Sequence, residues 1–317
     1  MGNHTSVMLS EVLSLLGEGP GSYIDCTFGR GGYTEALLKS HPKNKVWAID
    51  RDTEAISWGM EHLLPQYEKR LELIHDRFSG LKKIAEDHQI PPLQGIVFDL
   101  GVSSPQIDEG HRGFSFMRDG PLNMGMGLHD KTAADFLNQA SQEDITSVLR
   151  TLGEERYASR VAREILKRRM VKPFETTEEL ATLVKEVIPR NPSGLHPATR
   201  TFQALRLWVN EELTELSKGL EASLDLLAWG GILLVVSFHS LEDRIVKHFF
   251  QKESRPPTTP NRHALALSPL TGKGTDPLFE LPRPQPLRPT PSECQKNPRA
   301  RSARLRYGIY KKSKEAA

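Results

Sequence analysis

The run Asp25-Cys26-Thr27-Phe28-Gly29-Arg30-Gly31-Gly32 sets an acid ahead of three crowded glycines. Apolar Tyr23 and Ile24 lead into it and the amphipathic stretch 33–38 follows, which predicts a strand, a tight turn and a helix. Glycine has no Cβ and tolerates positive φ, so such a turn lets backbone N–H groups come close to a ligand. The next apolar run ends in Asp50, 19 residues after Gly31, where a carboxylate can accept both hydroxyls of a ribose. Loop and acid together indicate a nucleotide-type cofactor. The Gly-x-Gly-x-x-Gly spacing of dinucleotide turns is missing, and an acid leads Gly29, Gly31 and Gly32. That order suits a sulfonium amino acid carrying an ammonium group better than a pyrophosphate, so S-adenosylmethionine is the expected cofactor. Phe78 follows the apolar run 71–74 and is placed to flank an adenine, its other reading being core packing.

Two more apolar runs end in polar loops. One continues into Asp99-Leu100-Gly101-Val102-Ser103-Ser104-Pro105-Gln106, the other into His239-Ser240-Leu241-Glu242-Asp243-Arg244. Ligands of open α/β sheets bind at such carboxyl ends. Methyl transfer from a sulfonium is an in-line displacement whose chemistry the cofactor carries, leaving the protein to position the acceptor and shape its surroundings. An exocyclic base amine is a weak nucleophile because its lone pair is delocalised into the ring. Acceptors on its N–H groups localise that pair, and Asp99, Gln106 and the loop carbonyls are the candidates. Ser104-Pro105 resembles the Ser/Asp/Asn-Pro loops of base-amine methyltransferases, and reads equally as a turn with a capping serine. His239 is a candidate for touching the acceptor or RNA, whereas Ser240-x-x-Asp243 reads as a helix capping box. A Ser-His-Asp hydrolase is excluded, since no Gly-x-Ser-x-Gly elbow occurs.

The elements that must hold these residues follow from the pattern. Strands near 22–28, 45–50 and 95–99 alternate with helical sequence, which implies an α/β fold with a doubly wound parallel sheet. After residue 108 the rhythm changes to a long glycine-punctuated loop with Phe114, Phe116 and three methionines, too long for a simple connector. Helices are then expected at 141–151, 154–170 and 176–188, with Ser141-x-x-Asp144 and Thr176-x-x-Glu179 as start signals, and one long helix over 198–228. The expected organisation is a methyltransferase domain from 1–108 and 204–317 interrupted by a small helical substrate-recognition domain at 109–203. Ten prolines between 256 and 291 predict an extended loop, and Leu305-Arg306-Tyr307-Gly308-Ile309-Tyr310 a last edge strand.

Composition near the globular average supplies enough apolar material for a core and excludes disorder of the whole chain. No apolar run is long enough to cross a bilayer and the first residues do not read as a signal peptide, so a cytoplasmic protein is expected. Cys26 and Cys294 lack partners at ligand spacing, so neither a disulfide framework nor a metal site is expected. The net charge of +2 hides an asymmetry: residues 283–314 hold ten Lys/Arg against the single acid Glu293. Such a basic arm suits phosphate backbones, although a charge run is also a common solvated surface.

Taken together these segments resemble a known family, the bacterial 16S ribosomal RNA cytosine-N4 methyltransferases (RsmH or MraW). The likeness is carried by His4-Thr5-Ser6-Val7-Met8, the loop from Asp25 to Gly32, Ala48-Ile49-Asp50-Arg51-Asp52 and residues 99–108. It continues through Arg112-Gly113-Phe114-Ser115-Phe116, Gly153-Glu154-Glu155-Arg156, 196–206, 237–247 and Asn297-Pro298-Arg299-Ala300-Arg301-Ser302. The resemblance implies a Rossmann-like domain with a helical insertion, 16S RNA within the small ribosomal subunit as partner, and a P-site cytidine of the decoding centre as acceptor at N4. It implies cofactor contacts at Gly31, Gly32, Tyr33, Asp50, Phe78, Asp99 and Gln106, with Tyr33 standing where the family has His and so contributing its backbone. Asn123 and Gly125 stand where the family has Asp and Arg, which removes a charge pair from the inserted loop. A catalytically weakened ribosome-assembly factor of the same fold, and a methyltransferase acting on DNA or small amines, are the competing readings. A homodimer is allowed and not required by the sequence.

Overall fold

Runs rich in Ile, Val and Leu without polar alternation form strands covered on both faces. Five of them line up in parallel in the first of two units into which the chain divides. The computed structural model describes residues 6–17, 19–128, 131–188, 194, 196–255, 276–282 and 284–311. Met1–Asp50, Glu54–Gly101 and Glu215–Ala317 make up the first unit, Arg51–Thr53 and Val102–Thr214 the second.

The strands are β1 (Ser22–Asp25), β2 (Lys45–Asp50), β3 (Leu71–His75), β4 (Leu93–Asp99), β5 (Leu227–Ser237), β6 (Phe279–Glu280) and β7 (Arg304–Tyr310). They form one seven-stranded sheet in the order β3-β2-β1-β4-β5-β7-β6, with β7 antiparallel to both its neighbours. Helices α1 (Leu9–Leu16), α2 (Gly32–Ser40), α3 (Thr53–His62), α4 (Leu64–Tyr67) and α5 (Leu81–Asp87) accompany the first four strands. Side chains alternate between the two faces: on β5, Leu233 and Val235 join the apolar cluster of Phe98 and Phe249, while Leu234 and Val236 join that of Tyr33 and Leu305. This is a mixed α/β fold with a core on each side of the sheet. Among the described residues no helix is long and apolar enough to cross a membrane.

The second unit carries α6 (Ser104–Asp108), α7 (Ala133–Gln139), α8 (Gln142–Gly153), α9 (Ala158–Arg169), α10 (Thr177–Val187) and α11 (Thr199–Val209) around a core that includes Leu149, Val161, Leu183 and Leu205. Ser141 caps α8 through the Asp144 amide, and Thr176 with Glu179 forms a capping box on α10. The glycine-punctuated loop is tied down by backbone hydrogen bonds from Leu122 to Glu175 and from Ala134 to Leu122. Its Met124 and Met126 are buried.

The single helix expected over 198–228 is broken. α11 ends at Val209, Glu211 adopts φ 53°, and a second helix α12 starts at Glu212 and runs to Ser223. Distant residues cause the break. The Asn210 carbonyl accepts from Arg51 Nη1 at 2.6 Å, its Nδ2 donates to the Met124 carbonyl at 2.8 Å, and its Oδ1 accepts from the Met126 amide at 3.1 Å. Asn210 is fully buried, so truncation strands the Met124 carbonyl and the Met126 amide without water. Asn210→Ala is expected to destabilise the protein by about 2–3 kcal/mol, read as a lower urea midpoint at unchanged slope.

The C-terminal part departs from expectation in two ways. β7 is not the edge strand; β6, two residues from the proline-rich stretch, pairs outside it. Residues 256–275 and 283 of that stretch lie outside the described residues. The basic run is not a free arm, because Arg304 and Arg306 are bound at 2.5 and 2.7 Å to Asp243 of α13 (Ser240–Glu253). A last short helix, α14 (Pro291–Lys296), precedes β7.

Candidate active site

β1 delivers Asp25 fully buried at its carboxyl end. The chain then turns: the Phe28 amide bonds the Ile49 carbonyl of β2 at 2.9 Å, and the Gly29 amide donates to Asp50 Oδ2 at 2.7 Å. Asp50 therefore holds the loop as well as facing the ligand edge of the sheet. Gly31 starts α2 with φ 70°, and a Cβ there would lie 2.8 Å from the Phe28 ring. A Cβ on Gly32 would lie within 2.0 Å of Ser6 Oγ. Close approach demands both glycines, and at Gly31 the positive φ does so as well. The Tyr33 hydroxyl turns inward and donates to the Val7 carbonyl. Phe78 sits edge-on to Phe98, with ring centroids 5.3 Å apart, and packs over Gly219.

Asp99 ends β4 next to β1, and its amide donates to Thr27 Oγ1 at 2.7 Å. Its Oδ1 is buried and has no hydrogen-bond partner among the described residues. Burial, then the charges of Asp25 and Glu242, push its carboxyl well above the ordinary range. Asp25 is pushed up to about 6 by burial, against hydrogen bonds from Thr34 Oγ1 at 2.7 Å and the Thr27 amide at 3.2 Å. Glu242 is also buried, its Oε2 accepting the amides of Phe238 at 2.8 Å and His239 at 3.2 Å. The first unit thus gathers carboxylates whose negative charge is poorly compensated by protein alone. An incoming cation would relieve them.

His239 is the N-cap of α13: its Nδ1 accepts the Glu242 amide, and its Nε2 lies 3.0 Å from Glu242 Oε1. The capping box expected at Ser240 and Asp243 is therefore displaced by one residue. Asp243 is spent on the two arginines of β7. Ser104 and Gln106 belong to the second unit, where Ser103 caps α6 and Gln106 Oε1 returns to the Ser103 amide at 2.9 Å. Gln106 Nε2 donates to Asp52 Oδ2 at 2.7 Å, and Arg112 reaches the same oxygen at 2.8 Å. Both hydrogen-bonding ends of the Gln106 amide are thus engaged in holding the loop. Asn123 Oδ1 accepts the Gly125 amide at 2.8 Å, a neutral closure where the family pattern implies a charge pair. Thr27, Thr34 and Glu242 support the site and were not picked out beforehand. Their signal is weak, since threonines after a glycine loop and a Glu at the third position of a helix are common in any fold.

The raised Asp25 carboxyl has a definite sign. Folding favours its neutral form, so its contribution is present below the ordinary value of 3.8 and is lost as pH rises through about 6. The loss is on the order of 3 kcal/mol in all, of which about 1 kcal/mol falls between pH 5 and 7.5. Asp25→Asn keeps an acceptor for Thr34 and is expected to gain stability over the natural protein at pH 7.5 more than at pH 5. Urea denaturation of both proteins at the two pH values checks this.

The model of the MraW methylase family matches residues 1–311. Relatives named ribosomal RNA small subunit methyltransferase H cover 96% of the chain: one from Beijerinckia indica is 48% identical over 309 residues, spanning 85% of that protein. Another from Granulibacter bethesdensis is 45% identical over 308 residues, spanning 90% of it. Matched from end to end by the family and by relatives of nearly its own length, the chain belongs to the MraW methylases.

Proposed function

We propose that this protein transfers the methyl group of S-adenosylmethionine to the exocyclic N4 amine of a cytidine in 16S ribosomal RNA, at the P-site decoding centre. The observation that carries the reading is Asp99, a buried carboxylate at the ligand edge of the sheet whose Oδ1 has no partner among the described residues. Relatives named for small-subunit RNA methylation support the acceptor. The residues present fit the cofactor: its ammonium and sulfonium charges suit the acidic surroundings of Asp25 and Asp99, and the turn at Gly31 leaves no room for a side chain. When bound, the cofactor supplies an electrophilic methyl group.

The protein's part is orientation and charge. The backbone of Gly29, Gly31, Gly32 and Tyr33 lies against the cofactor, Asp50 accepts from its ribose, and Phe78 flanks its adenine. Asp99 accepts an N–H of the cytosine amine, which localises the nitrogen lone pair for in-line attack. Ser104 and Gln106 lie in the loop after β4, which Gln106 helps to hold, and His239 caps α13 just after β5. Such an enzyme works in the cytoplasm, where ribosomal subunits are. Mapping methylated nucleotides by mass spectrometry in small-subunit RNA, with and without the protein, tests the reading. A cytidine that gains one methyl at N4 is expected. No methylation of RNA or subunits, with cofactor binding intact by calorimetry, refutes it.

A further inference from the structure

Strand register brings a basic turn to the ligand edge of the sheet. β5 runs parallel to β4 and ends at Ser237, and antiparallel β7 sets Arg304 opposite Ser237. Residues just before Arg304 therefore lie at the same carboxyl edge where β1, β2 and β4 end in Asp25, Asp50 and Asp99. This segment, Pro298–Ser302, is a short 3-10 turn with Lys296, Arg299 and Arg301 exposed around it. Its inner face is Ala300, which with Ala303 is fully buried in the apolar cluster that also holds Tyr33, Val97 and Val236. The turn thus shares its apolar cluster with Tyr33 of α2.

Its shape is fixed from several sides. Asn297 Oδ1 accepts the Arg299 amide at 3.2 Å, and Glu293 Oε1 accepts the Met8 amide at 2.7 Å. The two ion pairs to Asp243 hold the beginning of β7. Arg304 and Arg306 are matched by the Asp243 carboxylate, and the sequence from Lys296 to Lys311 contains no acid. Here small residues face in and cations face out, beside a site that would take one nucleotide of a polyanion.

We propose that Lys296, Arg299 and Arg301 form a clamp for the phosphate backbone next to the acceptor nucleotide, an inference that rests on the RNA-methylating reading above. The clamp positions RNA without touching the methyl group, so it acts on RNA affinity and KM rather than on cofactor affinity. Binding of small-subunit RNA to the full chain, measured across a salt series, tests it with the double variant Arg299→Ala/Arg301→Ala. Affinity is expected to fall about 10- to 100-fold at about 100 mM salt, and the slope of log K against log salt to shrink by about 1.4–1.8, as two lost phosphate contacts require. S-adenosylmethionine affinity by calorimetry and the thermal transition are expected to stay as in the natural protein. Arg299→Lys/Arg301→Lys, which keeps both charges, restores most of the slope and guards against a folding defect in the alanine variant. Unchanged RNA affinity and slope in a folded alanine variant overturn the clamp. Tight, salt-sensitive binding by the natural protein without methylation overturns the proposed reaction instead, and leaves the clamp standing.

Discussion

Asp99→Asn is expected to lower the methyl-transfer rate by about 10²- to 10³-fold, the usual effect of losing one preorganised electrostatic partner of a reacting group. Cofactor affinity, by calorimetry, is expected to fall far less than turnover does. The substitution is nearly isosteric and leaves the backbone bond to Thr27 in place, so the loop keeps its course. An amide removes the negative charge and presents a donor that competes with the amine. Stability is expected to move the opposite way, because the carboxyl is held well above its ordinary range by burial and by Asp25 and Glu242. Folding therefore disfavours the ionised form, and stability gained from the neutral form is lost as pH rises through the raised value. A more stable protein that barely turns over separates a catalytic role from a structural one. The rate of the natural enzyme should also fall as pH drops through that raised value, with this limb missing in the variant. Single-turnover rates across pH provide the check, and an unaltered rate removes Asp99 from the mechanism.

Asp50→Ala has the second large effect, on binding. It deletes the acceptor of the Gly29 amide and the carboxylate at the end of β2 together. A charge-assisted hydrogen bond contributes about 1.5–3 kcal/mol, so the calorimetric dissociation constant for S-adenosylmethionine should rise about 10- to 100-fold. Asp50→Asn divides the two roles, since its amide oxygen still accepts from Gly29 while the negative charge is gone. Equal losses in both variants assign the effect to ribose recognition. A much smaller loss in the asparagine variant assigns it to loop support, and unchanged binding in both removes Asp50 from the cofactor site.

The residues at strand ends were legible because a parallel strand covered on both faces reads as an unbroken apolar run, and the polar residue that closes the run marks its carboxyl end. Asp25, Asp50 and Asp99 all announce themselves in this way. What stayed hidden depends on partners far away in the chain. The break after α11 needs Arg51 on the Asn210 carbonyl and the Met124 and Met126 backbone on its side chain, and no local propensity at 209–212 reports them. β6 escaped notice because two residues among prolines carry no periodicity. The capping box on α13 slipped by one because serine is the commoner cap, whereas here the imidazole of His239 takes that place and frees Asp243 to bind β7. Gln106 was legible as a polar residue near the acceptor loop, but its bond to Asp52, 54 positions earlier, was not.

The position of β7 in the sheet has a consequence for biosynthesis. Strand β4 is finished at Asp99, its partner β5 begins only at Leu227, and β7, which pairs with β5, is synthesised later still. At ordinary translation rates the half-built sheet waits on the order of ten seconds for β5, with the edge of β4 open to other chains. The helical unit emerges complete during that interval. Completion of the sheet therefore waits for β7: a chain terminated before Arg304 lacks the strand that pairs with Leu234 and Val236 and the ion pair to Asp243. Truncated products of the message would accumulate as aggregation-prone fragments rather than as partially active enzyme.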